Sequence, residues 1–151
     1  MNYEMKTKHQ LLLIDDDQDD RYLLRSVINE IDENIDILEF DRADVAATEL
    51  NAKFSERKPL PSLVLLDLNM PVFDGFYFLD TIKNLPVPVI VYTTSAAEAD
   101  IERSYSLGAK AYMVKPLSYP ELKSMFEATF NYWLDVVKPI PLIPFTTKDI
   151  R

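Results

Sequence analysis

The sequence predicts an α/β protein: an open, five-stranded parallel sheet covered by helices on both faces. Three observations predict it. Short apolar runs alternate five times with segments of helical period, the pattern of a parallel sheet joined by right-handed crossovers. The third run, Leu63-Val64-Leu65-Leu66, is apolar at every position, as in a strand buried on both faces. Four of the runs stop at polar groups: Asp15-Asp16, Asp67, Thr93 and Lys115.

Each element follows from its own residues. Strand 1 covers residues 10–14 and ends in the run Asp15-Asp16-Asp17, with Asp19 and Asp20 just beyond. A helix follows, with Leu23, Leu24, Val27, Ile28 and Ile31 at helical spacing. Strand 2 alternates over residues 35–40, and Asp41 is the expected N-cap of a second helix with Ala43, Ala46, Ala47, Leu50 and Phe54 inward. Strand 3 runs into Asp67, and the chain turns through Pro71 and Gly75 into a short third helix with Leu79 and Ile82 inward. Pro86 and Pro88 bound the loop into strand 4, residues 89–92. Ser95 and Glu98 have capping-box spacing, so the fourth helix is expected to start there and to end at Gly108 in a left-handed cap. Strand 5 covers residues 110–114 and stops at Lys115-Pro116. Ser118 and Glu121 form a second capping box before a last helix bearing Leu122, Met125, Phe126, Thr129, Phe130, Trp133, Leu134 and Val137. That stripe is wider than one sheet face needs. The division is therefore an N-terminal extension (residues 1–8), one domain (9–137) and a Pro-rich tail (138–151) that cannot be helix.

Composition excludes several classes of function. With 151 residues, 48% of them hydrophobic, the chain has enough material for one well-packed domain. The absence of cysteine removes disulfide and thiolate chemistry and suits the cytoplasm. A net charge of −9 opposes binding to nucleic acid or to an anionic membrane surface. No apolar run reaches membrane-spanning length, and the polar first ten residues lack a signal peptide's apolar core.

Sites in open parallel sheets lie beyond the carboxyl ends of the strands. If strands 1, 3, 4 and 5 are neighbours, an acid pair, a lone acid, a hydroxyl and an ammonium meet in one crevice. Crowded carboxylates cannot all stay ionised unless a cation joins them, and a hard, oxygen-liganded dication such as magnesium meets that need. With the lysine it would neutralise a phosphoryl group, and an aspartate could act as nucleophile and carry an aspartyl phosphate.

In this arrangement the chain resembles the receiver domain of two-component response regulators, of the kind found in chemotaxis regulators. The motifs are Asp15-Asp16, Asp67 in Leu-Leu-Asp-Leu-Asn-Met-Pro, Thr93 in Val-Tyr-Thr-Thr-Ser and Lys115-Pro116 in Tyr-Met-Val-Lys-Pro; Gly75 and Gly108-Ala109 fit as well. The ordered set covers roughly residues 9–136. The resemblance implies a flavodoxin-like, doubly wound sheet of strand order 2-1-3-4-5. It implies that Asp67 accepts a phosphoryl group from a histidine kinase or phosphotransfer protein. Magnesium, or manganese in its place, would be held by Asp16, Asp67 and the Asn69 backbone carbonyl, with Asp15 acting through bound water. Lys115 would pair with the phosphoryl group, and its bond to Pro116 is expected to be cis. Thr93 is favoured over Thr94 as the switch hydroxyl. Tyr112 stands at the aromatic switch position, where it would move from an outward rotamer into space left by Thr93; a plain packing role is the other reading. Asn69 and Ser95 are positions that could tune phosphoryl lifetime, although capping alone would account for Ser95. The implied protein is no enzyme beyond phosphorylating and dephosphorylating its own aspartate. It is expected to act as a stand-alone receiver that signals to a downstream protein by contact.

Other readings are weaker. A haloacid-dehalogenase-type phosphatase needs Asp-x-Asp-x-Thr or Val, and Asp15-Asp16-Asp17 is followed by Asp19 at the last place. A calcium loop fails at Asp20, where the turn glycine belongs, and at Ser26, where the bidentate glutamate belongs. A Rossmann nucleotide site lacks its glycine-rich turn. A pseudo-receiver that is never phosphorylated fits poorly with the complete acid, hydroxyl and lysine set. For Asp17, Asp19 and Asp20 the expected role is a solvated helix N-terminus, and His9 is expected to be an exposed terminal residue. The last helix and the tail, with Ile140, Leu142, Ile143 and Phe145, leave two readings open: the tail covers the stripe, or stripe and tail form a homodimer surface.

Overall fold

The computed structural model describes residues 9–138. The extension of residues 1–8 and the tail beyond Lys138, with the dimer surface that involves it, lie outside the described residues. Five parallel strands, β1 (Gln10–Ile14), β2 (Asp36–Phe40), β3 (Leu63–Leu66), β4 (Val89–Thr93) and β5 (Ala111–Val114), form one sheet in the order β2-β1-β3-β4-β5. Between and after them run α1 (Gln18–Ile31), α2 (Ala43–Ser55), α3 (Gly75–Thr81), α4 (Glu98–Ser106) and α5 (Tyr119–Phe130). This is the flavodoxin-like topology, and it reverses direction between β1 and β3.

The period of two along each strand divides the core into two layers. Leu12, Ile14, Val64, Leu66, Val89 and Val91 pack against α2 and α3, through Ala43, Ala46, Ala47, Leu50, Phe78 and Leu79. Leu11, Leu13, Leu63, Leu65, Ile90 and Tyr92 pack against α1 and α5, through Leu24, Val27, Ile28, Leu122, Phe126 and Phe130. Every residue of β3 is fully buried, which is why its sequence carries no polar alternation.

The helix starts show where local chemistry sets the boundaries. Asp17 caps α1, accepting the N–H groups of Asp19 and Asp20; Asp74 caps α3 through Tyr77; and Ser118 caps α5 through Glu121. Gly108 stands at φ +101° after α4, with Ala109 N–H donating to Ser104 and Gly108 N–H to Tyr105, the paired bonds of a Schellman cap.

Several expectations are corrected. The residue before α2 is Arg42, not Asp41, and it makes no side-chain cap; its guanidinium pairs with Asp44 instead. Helix α4 starts at Glu98 after an uncapped Ala97, because the Ser95 hydroxyl is used one turn earlier, accepting from Ala97 N–H and donating to Asp100. Leu23 and Phe54 face solvent rather than the core. The last helix changes at Phe130 into a π-helical segment, Asn131–Val136. Phe130 is buried within the domain, and Trp133 and Leu134 pack half-buried against the same layer, so less of the stripe is free than its sequence suggests. His9 is half-buried, with Nδ1 3.2 Å from the Ser62 hydroxyl.

Candidate functional site

The register brings the polar strand ends together. Ile14 pairs with Leu66, Leu66 with Val91 and Val91 with Tyr112, so Asp15 and Asp67 leave adjacent strands at the same level. Backbone bonds continue past the strand ends, from Asp67 N–H to Ile14 O at 2.9 Å and from Lys115 N–H to Thr93 O at 2.7 Å. Both loops are thereby tied to the rigid sheet, so the side chains they carry have fixed origins.

Asp67 is 8% exposed and its carboxylate is engaged on both oxygens. Oδ1 accepts from the Thr93 hydroxyl at 2.8 Å and from Asn69 N–H at 3.2 Å; Oδ2 accepts from Lys115 Nζ at 3.3 Å. Thr93 is fully buried on the sheet while Thr94 is exposed, and it is Thr93 that reaches Asp67. Asp15, also buried, accepts from Asp17 N–H at 2.9 Å and from Lys115 at 2.8 Å.

Two partners of the site were not legible as such in the sequence. Asp20, expected to be only solvated, places Oδ2 2.9 Å from Lys115 Nζ. Arg21 donates to the Asp15 carbonyl at 2.6 Å and lies 3.3 Å from Glu39 on β2, bracing the end of β1. The signal for both was a helix beginning immediately after the acid pair. Its first turn must then lie over the strand ends.

The balance of charge is negative. Burial alone would push the Lys115 ammonium down, but the carboxylates of Asp15, Asp20 and Asp67 outweigh it and hold the group above the ordinary lysine range. Burial, with the Asp67 charge adding to it, pushes the Asp15 carboxyl up despite the Lys115 hydrogen bond. Carboxylate oxygens of Asp15, Asp16 and Asp67 all lie within 4.8 Å of one another, with Asp16 exposed at the mouth. One ammonium cannot neutralise this set. The clustered hard oxygens and one open side fit a divalent cation that keeps several waters.

Two expectations fail here. No peptide bond among the described residues is cis, so the Lys115–Pro116 bond is trans. Proline narrows the preference for trans to about 0.5–1 kcal/mol without reversing it, so trans remains the default. Tyr112 is not outward: its half-buried ring packs against the α2–α3 layer and its hydroxyl donates to Ser95 O at 2.8 Å. Thr93 is drawn to Asp67 in the same structure, so the two residues are engaged together. The Ser95 hydroxyl is committed to the turn before α4, bonded to Asp100 at 2.6 Å.

Comparison with known proteins agrees with this geometry. The profile of the family described as the response regulator receiver domain matches residues 11–127. The chain is 34% identical to the response regulator Rcp1 of Synechocystis sp. over 143 residues, covering 91% of this chain and 97% of that protein. The crystal structure of the Mn(2+)-bound form of Rcp1 superposes with a TM-score of 0.73 at 31% identity, over 88% of this chain and 99% of that one. The phosphorylated cyanobacterial phytochrome response regulator RcpA superposes with a TM-score of 0.78 at 25% identity, over 89% of this chain and 100% of that one.

Proposed function

The chain belongs to the response regulator receiver domain family, and on that premise we propose that Asp67 is its phosphoacceptor. Such domains are signalling proteins of two-component systems, not enzymes that turn over a free substrate. The observation that carries the assignment is the pair of donors on the Asp67 carboxylate: Thr93 on Oδ1 and Lys115 on Oδ2, beside the Asp15–Asp16 acid pair.

In the proposed reaction a carboxylate oxygen of Asp67 attacks phosphorus, and the bond from phosphorus to the donor's leaving group breaks with the electron pair going to that group. The donor is the phosphohistidine of a histidine kinase or phosphotransfer protein. Asp15, Asp16, Asp67 and the Asn69 carbonyl would hold a magnesium ion, which would neutralise charge on the phosphoryl oxygens. Lys115 contributes a further positive charge, and Thr93 offers its hydroxyl to a phosphoryl oxygen. Phosphorylation replaces the single carboxylate charge of Asp67 with a phosphoryl group of about −1.5 to −2. Through Thr93 and the Tyr112–Ser95 bond it would bias the β4–α4 loop and the α4–β5–α5 surface, where a downstream protein reads the change. No helix among the described residues is long and apolar enough to cross a membrane. We place the protein in the cytoplasm, where its phosphodonor works.

Acetyl phosphate with magnesium tests the reading by intact mass. Wild type gains one acid-labile phosphoryl group, while excess chelator or Asp67→Ala abolishes the gain. Equal labelling of the Asp67→Ala variant contradicts the assignment.

A further inference from the structure

An ammonium has three N–H donors, and Lys115 has a carboxylate for each. Asp15 stands at 2.8 Å, Asp20 at 2.9 Å and Asp67 at 3.3 Å. Asp15 and Asp67 also belong to the oxygen cluster suited to a cation; Asp20 does not. Asp20 sits in the first turn of α1, where its own N–H donates to the Asp17 cap at 3.2 Å. Its carboxylate therefore approaches Lys115 from a fixed point on the helix. The longest of the three contacts is the one to Asp67. The lysine side chain is only 11% exposed, so its ammonium has few other places to go.

We infer that Asp20 is a positioning residue that draws the Lys115 ammonium toward α1 and opposes its transfer onto an anion at Asp67. The inference rests on Asp67 being the phosphoacceptor. A phosphoryl oxygen can take a Lys115 donor only if one of the three carboxylates gives way. The Asp67 carboxylate loses its own charge when it is phosphorylated, which frees one N–H. Asp20 keeps its charge and continues to pull from the helix side. The strength of that pull sets how readily Lys115 engages the phosphoryl group.

Beryllofluoride, a phosphoryl mimic, tests this at saturating magnesium, with binding followed by 19F NMR on the full chain. Asp20→Asn and Asp20→Ala are both expected to bind at least about threefold more tightly than wild type, within the range by which contacting charged groups couple. Asp19→Asn removes the same charge from the same exposed helical turn, and it should leave affinity within about twofold. In a Lys115→Ala background, Asp20→Asn should also change affinity by less than about twofold, because its effect runs through Lys115. Folded Asp20 variants with unchanged or weaker binding overturn the inference. So does an equal gain from Asp19→Asn, or a gain that persists without Lys115; both would mean a general charge effect. A wild type that binds no beryllofluoride overturns instead the assignment of Asp67, and this inference with it.

Discussion

Thr93 and Thr94 are neighbours in sequence with opposite positions in the fold. Thr93 is the last residue of β4 and points into the layer between sheet and helices, where its hydroxyl meets Asp67; Thr94 has left the strand and is exposed. Tyr92, one residue earlier, points to the other face and meets Phe126 edge-on, with ring centroids 5.1 Å apart. Burial pushes its hydroxyl up to about 12. A tyrosine that holds its proton longer in the fold than in the unfolded chain costs stability as pH rises between those two values. Stability should therefore fall as pH climbs from about 10, the unfolded value, to about 12. Lys115 acts in the same direction. Its folded value is raised, so the stability it contributes is complete below the ordinary lysine value and is lost as pH rises through the folded one. Urea unfolding across this window should show Tyr92→Phe flattening the decline by about 1 kcal/mol while the lysine part remains. A Tyr92→Phe variant with the wild-type slope would contradict the burial argument.

At the scale of elements, the connection from β3 to α3 is the most constrained part of the site. A Cβ on Gly75 would lie 2.7 Å from the Asp67 carbonyl and 2.8 Å from Leu68 Cα. Both are backbone atoms of the segment that carries Asp67, the proposed phosphoacceptor, so α3 can reach this position only with glycine at its first residue. Gly75→Ala should cost about 2 kcal/mol by overpacking and slow phosphorylation, since the contact moves the Asp67 backbone itself. Three residues earlier, Val72 has φ 67° and is 90% exposed. A β-branched residue in the left-handed region is strained, and its exposure means little packing is lost on replacement. Val72→Gly should raise stability by about 1 kcal/mol. Unfolding of the two variants checks both signs; a neutral Gly75→Ala would refute the close approach.

The same scale shows what the sequence could reveal. Strand β3 was readable because a strand buried on both faces must be apolar throughout, and residues 63–66 stand where the pattern placed them. The N-terminus of α5 was readable because Ser118 has one use, to accept from Glu121 N–H. The start of α4 was not, because Ser95 had an alternative. A short polar side chain can serve a turn as well as a helix end, and the choice depends on neighbours such as Asp100 that spacing alone does not bring near. Phe54 and Leu23 fit the helical period yet fall outside the contact area, since the period gives a direction and not the width of the neighbour.

For the whole molecule, the site is a product of topology. Asp15, Asp67, Thr93 and Lys115 lie at four strand ends that the order β2-β1-β3-β4-β5 makes contiguous, and all four were expected to meet because each ends an apolar run. Thr93 was favoured over Thr94 from the resemblance, and the alternation of faces in β4 is the physical reason it is the buried one of the two. The part Asp20 plays was hidden, because an aspartate in the first turn of a helix has an ordinary explanation in the helix dipole. Of the six acids Asp15, Asp16, Asp17, Asp19, Asp20 and Asp67 that follow β1 and β3, Asp67 alone is proposed to carry the phosphoryl group. Borohydride reduction of the phosphorylated protein, followed by peptide mass spectrometry, tests it most directly, because reduction converts an aspartyl phosphate to homoserine at the modified residue. Homoserine is expected at position 67 alone; homoserine at 15, 16, 17, 19 or 20, or none at 67 in a phosphorylated sample, would contradict the assignment.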